Sequence, residues 1–155
     1  GHVPVGKVYD EPVIQLDIFP TALAAAGIKA PASAKLDGFD LLPYLNGKKE
    51  KGPHDTLYWR FGPQMAIRRG DWKLVRYDPA ADGQDGVVTD AKLYNLKDDV
   101  GETQDLIRAK PDKAKELQAA WDQWNEFNVA PLWGNDVVLK KGAARRAKAA
   151  ASAAE

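Results

Sequence analysis

The apolar positions of this chain change period twice, and each change marks a different kind of element. Val13-Ile14-Gln15-Leu16 is a short apolar approach to a helix. Asp17 stands where a helix cap is wanted, because a carboxylate there can accept the orphan N–H groups of a first turn. Pro20 then falls within that turn, where its missing N–H costs nothing. Leu23, Ala24 and Ala26 extend the helix, and Gly27 supplies a left-handed stop. A helix this rich in alanine and this poor in charge is expected to pack against a larger body. Pro31 to Lys35 reads as a linker. Leu36 to Leu45 reads as a second compact element, with Leu41, Leu42, Tyr44 and Leu45 presenting apolar surface. The polar loop Gly47-Lys48-Lys49-Glu50-Lys51-Gly52-Pro53 is the expected domain boundary.

Beyond it the period shortens to two. Thr56 to Phe61 is short and aromatic, Met65-Ala66-Ile67-Arg68 runs into a tight Arg69-Gly70-Asp71 turn, and Trp72 to Tyr77 follows. Alternation in the last of these puts Trp72, Leu74 and Arg76 on one face and Lys73, Val75 and Tyr77 on the other. Asp78 to Asp90 reads as a hairpin loop, and Lys92-Leu93-Tyr94-Asn95-Leu96 as a last strand. These segments predict a small antiparallel sheet of about four strands. The period then lengthens again. Pro111 opens a helix whose Leu117, Ala120, Trp121, Trp124 and Phe127 recur at three- and four-residue steps, one apolar stripe able to cover the sheet. Ala130-Pro131-Leu132-Trp133 is expected to anchor the end of the fold. The stretch from Lys140 to Glu155 is an Ala-, Lys- and Arg-rich tail of low complexity. The expected class is α+β, divided as 1–47, 48–133 and 134–155.

Composition narrows the functional classes. A hydrophobic content of 45% with five Trp favours a packed core over disorder. Twenty-two basic and 22 acidic residues balance, so no global attraction to nucleic acid or to an anionic membrane is expected. The sequence holds no Cys, which excludes a disulfide framework and thiolate zinc sites. No apolar run reaches membrane-spanning length, roughly 18 residues.

Five segments in order carry a family pattern. They are Leu16-Asp17-Ile18-Phe19-Pro20-Thr21 running on to Gly27; Leu36-Asp37-Gly38-Phe39-Asp40-Leu41-Leu42-Pro43-Tyr44-Leu45-Asn46-Gly47; Leu57-Tyr58-Trp59; Arg69-Gly70-Asp71-Trp72-Lys73-Leu74-Val75; and Leu93-Tyr94-Asn95-Leu96-Lys97-Asp98-Asp99 with Glu102. Together they resemble the C-terminal third of a type I sulfatase, the arylsulfatase family of the alkaline-phosphatase-like superfamily. Gly1-His2-Val3-Pro4-Val5-Gly6 looks like that family's P-G-x-x-x-x-G stretch without its leading residues. The resemblance implies an α/β parent, with residues 1–47 as the end of its catalytic domain, 48–133 as its C-terminal subdomain, and the N-terminal catalytic domain as the partner of both. It implies hydrolysis of a sulfate monoester, on a sulfated small molecule or glycan. It also implies a formylglycine nucleophile and calcium or another divalent metal in the parent.

None of that chemistry is expected within these residues. The nucleophile motif is C/S-x-P-x-R, and neither Ser33 nor Ser152 lies in one. Asp98-Asp99 sits in a structural element, so no metal ligation is transferred to it, and no catalytic residue is assigned. His54 is the one candidate for substrate binding, since histidines contact sulfate oxygens in the resembled family; a solvated or strand-capping role is the competing reading. Lys73 is read as structural. Val100 stands where the family pattern has Pro, and Asp105 where it has Asn, swaps that touch a turn rather than the chemistry. A phosphatase or phosphonate hydrolase of the same architecture, or a stand-alone binding module for a sulfated sugar, are the rival readings. The resemblance leaves the compartment open and is consistent with a periplasmic or secreted parent.

Overall fold

A computed structural model describes residues 3–31, 33–79 and 88–130. The chain divides into two compact units, Gly1–Leu57 and Tyr58–Glu155. In the first, a single 3-10 turn over Gln15–Asp17 leads into helix α1, Ile18–Ala25, and a one-turn helix α2 covers Leu42–Leu45. Gly27 stops α1 with φ 70°, and the Ile28 N–H closes back onto the Leu23 carbonyl at 2.9 Å. Helix α1 contains no buried residue: Ile18 and Phe19 are 67% and 57% exposed. Tyr44 of α2 is buried, and the Lys49 ammonium lies 4.8 Å above its ring.

The sheet has four strands in sequence order: β1 Thr56–Phe61, β2 Gln64–Arg69, β3 Trp72–Arg76 and β4 Lys92–Asn95. The β2–β3 and β3–β4 ladders are antiparallel. In register, Ile67 faces Leu74 and Leu74 faces Leu93, so one cross-strand row supplies three fully buried side chains. Helix α3, Pro111–Glu126, lays Ala114, Leu117 and Trp121 against that row and Met65. Pro111 stands at the start of α3 and Asp112 in its first turn, where a negative charge suits the helix dipole. The Trp121 indole N–H donates to the Trp59 carbonyl at 3.2 Å, and the Trp124 ring stacks on Tyr58 at 4.9 Å. The expected α+β arrangement, a small antiparallel sheet under a C-terminal helix, is the one observed.

Two expectations are corrected. Asp17 does not cap α1: its carboxylate makes no bond to the first turn of that helix and points elsewhere. Phe127 does not belong to the buried stripe, because α3 ends at Glu126 and Phe127 is 86% exposed. The Pro131–Trp133 anchor, the tail beyond Lys140 and the middle of the 78–90 loop lie outside the described residues. At the base of that loop the Thr89 N–H bonds to the Tyr77 carbonyl at 2.8 Å, closing it. Among the described residues no helix is long and apolar enough to cross a membrane.

Candidate functional site

The sequence motifs of the first unit meet at Asp17, which is fully buried. One carboxylate oxygen accepts the Ile14 N–H at 2.9 Å and the other accepts the Phe39 N–H at 2.8 Å. His54 Nε2 lies 2.9 and 2.8 Å from the two oxygens, donating its N–H to the carboxylate. The His54 side chain is only 7% exposed, and its ring meets that of Phe39 in a T-shaped contact with centroids 5.0 Å apart. One turn on, the Thr21 hydroxyl donates to the Asp17 carbonyl at 2.6 Å and accepts the Leu41 N–H at 2.9 Å. The Asp and the Thr of the D-x-x-P-T segment thus grip the backbone of the following D-G-F-D-L segment at two points. A buried carboxylate is tolerated only when its lone pairs are filled, and three donors fill them here. Burial alone would raise the Asp17 pKa, but the Ile14, Phe39 and His54 hydrogen bonds outweigh it and hold the group below its ordinary range.

Gly38 explains the glycine in the second segment. A Cβ there would sit 2.0 Å from the Leu16 carbonyl oxygen. Gly38→Ala is therefore expected to push the 37–41 segment off Asp17, destabilising this unit by about 1–3 kcal/mol. Amide exchange at Phe39 checks it: protection should fall, and unchanged protection would show that the close approach is not needed.

In the second unit, two further motifs meet. The ammonium of Lys73 on β3 pairs with the Glu102 carboxylate, joining the R-x-G-x-x-K segment to the segment that begins Leu93-Tyr94-Asn95-Leu96. Glu102 holds φ 54°, a left-handed backbone unusual for a residue with a side chain. Asp99 closes the same turn, accepting the Thr103 and Gln104 N–H groups at 3.0 and 2.8 Å. These bonds lower its pKa. Asp105 accepts the Leu93 and Ile107 N–H groups at 3.1 and 3.0 Å, work that an amide oxygen performs equally well. Val100 is 86% exposed in the turn. Both departures from the family pattern are therefore tolerated locally. Among the described residues no group of three or more His, Asp or Glu is placed to hold a metal ion.

The structure places His54, the sequence candidate for substrate contact, on Asp17. The Asp17–His54 pair itself was not predicted, and its sequence signal is slight: an Asp before Pro-Thr and a lone His 37 positions on.

The second unit thus presents a four-stranded sheet covered by one C-terminal helix, and the first unit the Asp17 and Thr21 grip on the Phe39–Leu41 backbone. No family model matches the chain. It is 30% identical over 124 residues to arylsulfatase G of Rattus norvegicus, covering 72% of this chain and 24% of that protein. It is 32% identical over 123 residues to an uncharacterized sulfatase of Schizosaccharomyces pombe, covering 74% of this chain and 21% of that one. The crystal structure of Ps i-CgsB in complex with k-i-k-neocarrahexaose superposes with a TM-score of 0.66 at 25% identity, over 85% of this chain and 28% of that one. The chain thus corresponds to the C-terminal part of a sulfatase, and it spans about a quarter of the length of these relatives.

Proposed function

We propose that this chain is the structural and substrate-facing end of a sulfatase that hydrolyses sulfate monoesters of a glycan, and that it has no activity alone. The carrying observation is the meeting of motif pairs: Asp17 and Thr21 bind the Phe39–Leu41 backbone, and Lys73 binds Glu102. The residues that make this chain look like a sulfatase hold its backbone in place. The oligosaccharide bound by Ps i-CgsB supports a glycan as substrate. The described residues do not fit the family's metal or its formylglycine. They contain no metal-binding cluster, the sequence has no Cys, and neither of its serines lies in C/S-x-P-x-R. No catalytic step is assigned to them, and the metal and nucleophile belong, in this reading, to an N-terminal catalytic domain.

In the same reading the exposed apolar side chains of the first unit, Leu16, Ile18, Phe19 and Ile28 among them, pack on that domain. His54 acts through Asp17, fixing the segment rather than touching sulfate. The test is the protein encoded with its upstream sequence. It should carry Cys or Ser in C/S-x-P-x-R, show formylglycine by mass spectrometry, and release sulfate from a sulfated sugar in a metal-dependent way. A Thr or unconverted Ser at that position, with phosphate or phosphonate ester cleavage instead, would replace the sulfatase reading by its phosphatase rival.

A further inference from the structure

Building on the sulfatase reading, we propose that the open face of the sheet carries a subsite for an anionic sugar unit, between the Trp59 indole and the cations Arg68 and Lys73. Strand register supplies the arrangement. Arg68 and Lys73 are direct cross-strand partners, so both stand on the face opposite the Ile67–Leu74–Leu93 row that meets α3. On β1, Tyr58 faces α3 and stacks on Trp124, which turns the next residue, Trp59, to the open face, where it is 38% exposed. These side chains, with Ala66, Val100 and Glu102, line a cavity of about 520 Å³. That volume falls within the range of small-molecule sites, roughly 300–1,000 Å³.

Each wall offers a different part of the recognition. An indole gives a flat apolar platform with a polar edge, suited to the C–H face of a pyranose. Arg68 is fixed by its Nε–H bond to the Gly70 carbonyl at 3.1 Å. Its terminal nitrogens remain to present a planar fork, the geometry that matches a sulfate or carboxylate group. Glu102, held in its left-handed backbone and tied to Lys73, has lone pairs left for sugar hydroxyls. Two cations and one carboxylate leave a net positive wall, which selects an anionic sugar over a neutral one.

The experiment is an NMR titration of the 155-residue chain with galactose 6-sulfate, galactose and sodium sulfate in turn. Galactose 6-sulfate should shift the Trp59 indole N–H and the Arg68 Nε–H saturably, at a dissociation constant of about 1–10 mM. Trp59→Ala should weaken binding about tenfold or more. The Trp121 bond goes to the Trp59 backbone carbonyl, so this variant keeps it. Arg68→Gln should remove the preference for galactose 6-sulfate over galactose, and it serves as the test should Trp59→Ala fail to fold. Absence of shifts at these two groups overturns the proposal, as does equal response to sodium sulfate, which would mark nonspecific anion binding. Either negative result leaves the sulfatase reading intact, since that is read by sulfate release from the longer protein.

Discussion

Asp17→Ala should abolish the protection of the Phe39 amide against exchange and destabilise the first unit by about 3–5 kcal/mol. The substitution leaves the Ile14 and Phe39 N–H groups and the buried His54 ring without their common acceptor. Each unsatisfied buried group costs about 1–3 kcal/mol. All five Trp lie beyond residue 57, so indole fluorescence would follow the other unit; hydrogen exchange at Ile14 and Phe39 is the proper readout. Retained protection would mean that the carboxylate does not organise this unit. The same group sets an acid limit. Its pKa is lower folded than unfolded, so its contribution is full above the unfolded value of about 3.9. It is lost as pH falls through the still lower folded value. Protection at Phe39 should therefore persist down to about pH 4 and collapse below it.

Trp121→Ala should cost the second unit about 3–5 kcal/mol. The ring is 6% exposed, sits among Met65, Ile67, Leu74 and Leu93, and donates its indole N–H to the Trp59 carbonyl. Removal opens a cavity and takes the indole donor from a strand carbonyl together. Trp124 is only partly buried and owes its place to stacking on Tyr58, so Trp124→Ala should cost less. Thermal unfolding followed by far-ultraviolet circular dichroism ranks the two. A larger loss at Trp124 would mean that the helix is rotated from the face described.

Elements set by local period were readable in the sequence. A short aromatic run marked β1 at Thr56–Phe61, and alternation from Trp72 put Leu74 and Lys73 on opposite faces of β3; the structure shows Leu74 as the buried one. Pro111 and the three- and four-residue steps to Trp121 gave α3 and its buried face. Interactions across long loops were not readable, because nothing local records them. Asp17 looks like a helix cap in sequence since Ser, Thr, Asp and Asn favour that position, but two of its three carboxylate partners are 22 and 37 residues away. Lys73 and Glu102 are 29 apart. Phe127 fits the helical spacing, yet the helix ends one residue earlier, and periodicity carries no stop signal there. The family motifs were visible as words; the structure shows that they are contacts.

In the proposed reading these residues carry the scaffold of a sulfatase and none of its chemistry. Its most direct test is an assay of the purified 155-residue chain with an aryl sulfate, in the presence and absence of added calcium. No turnover above the buffer rate is expected in either condition. Metal-dependent release of sulfate by the chain alone would contradict it.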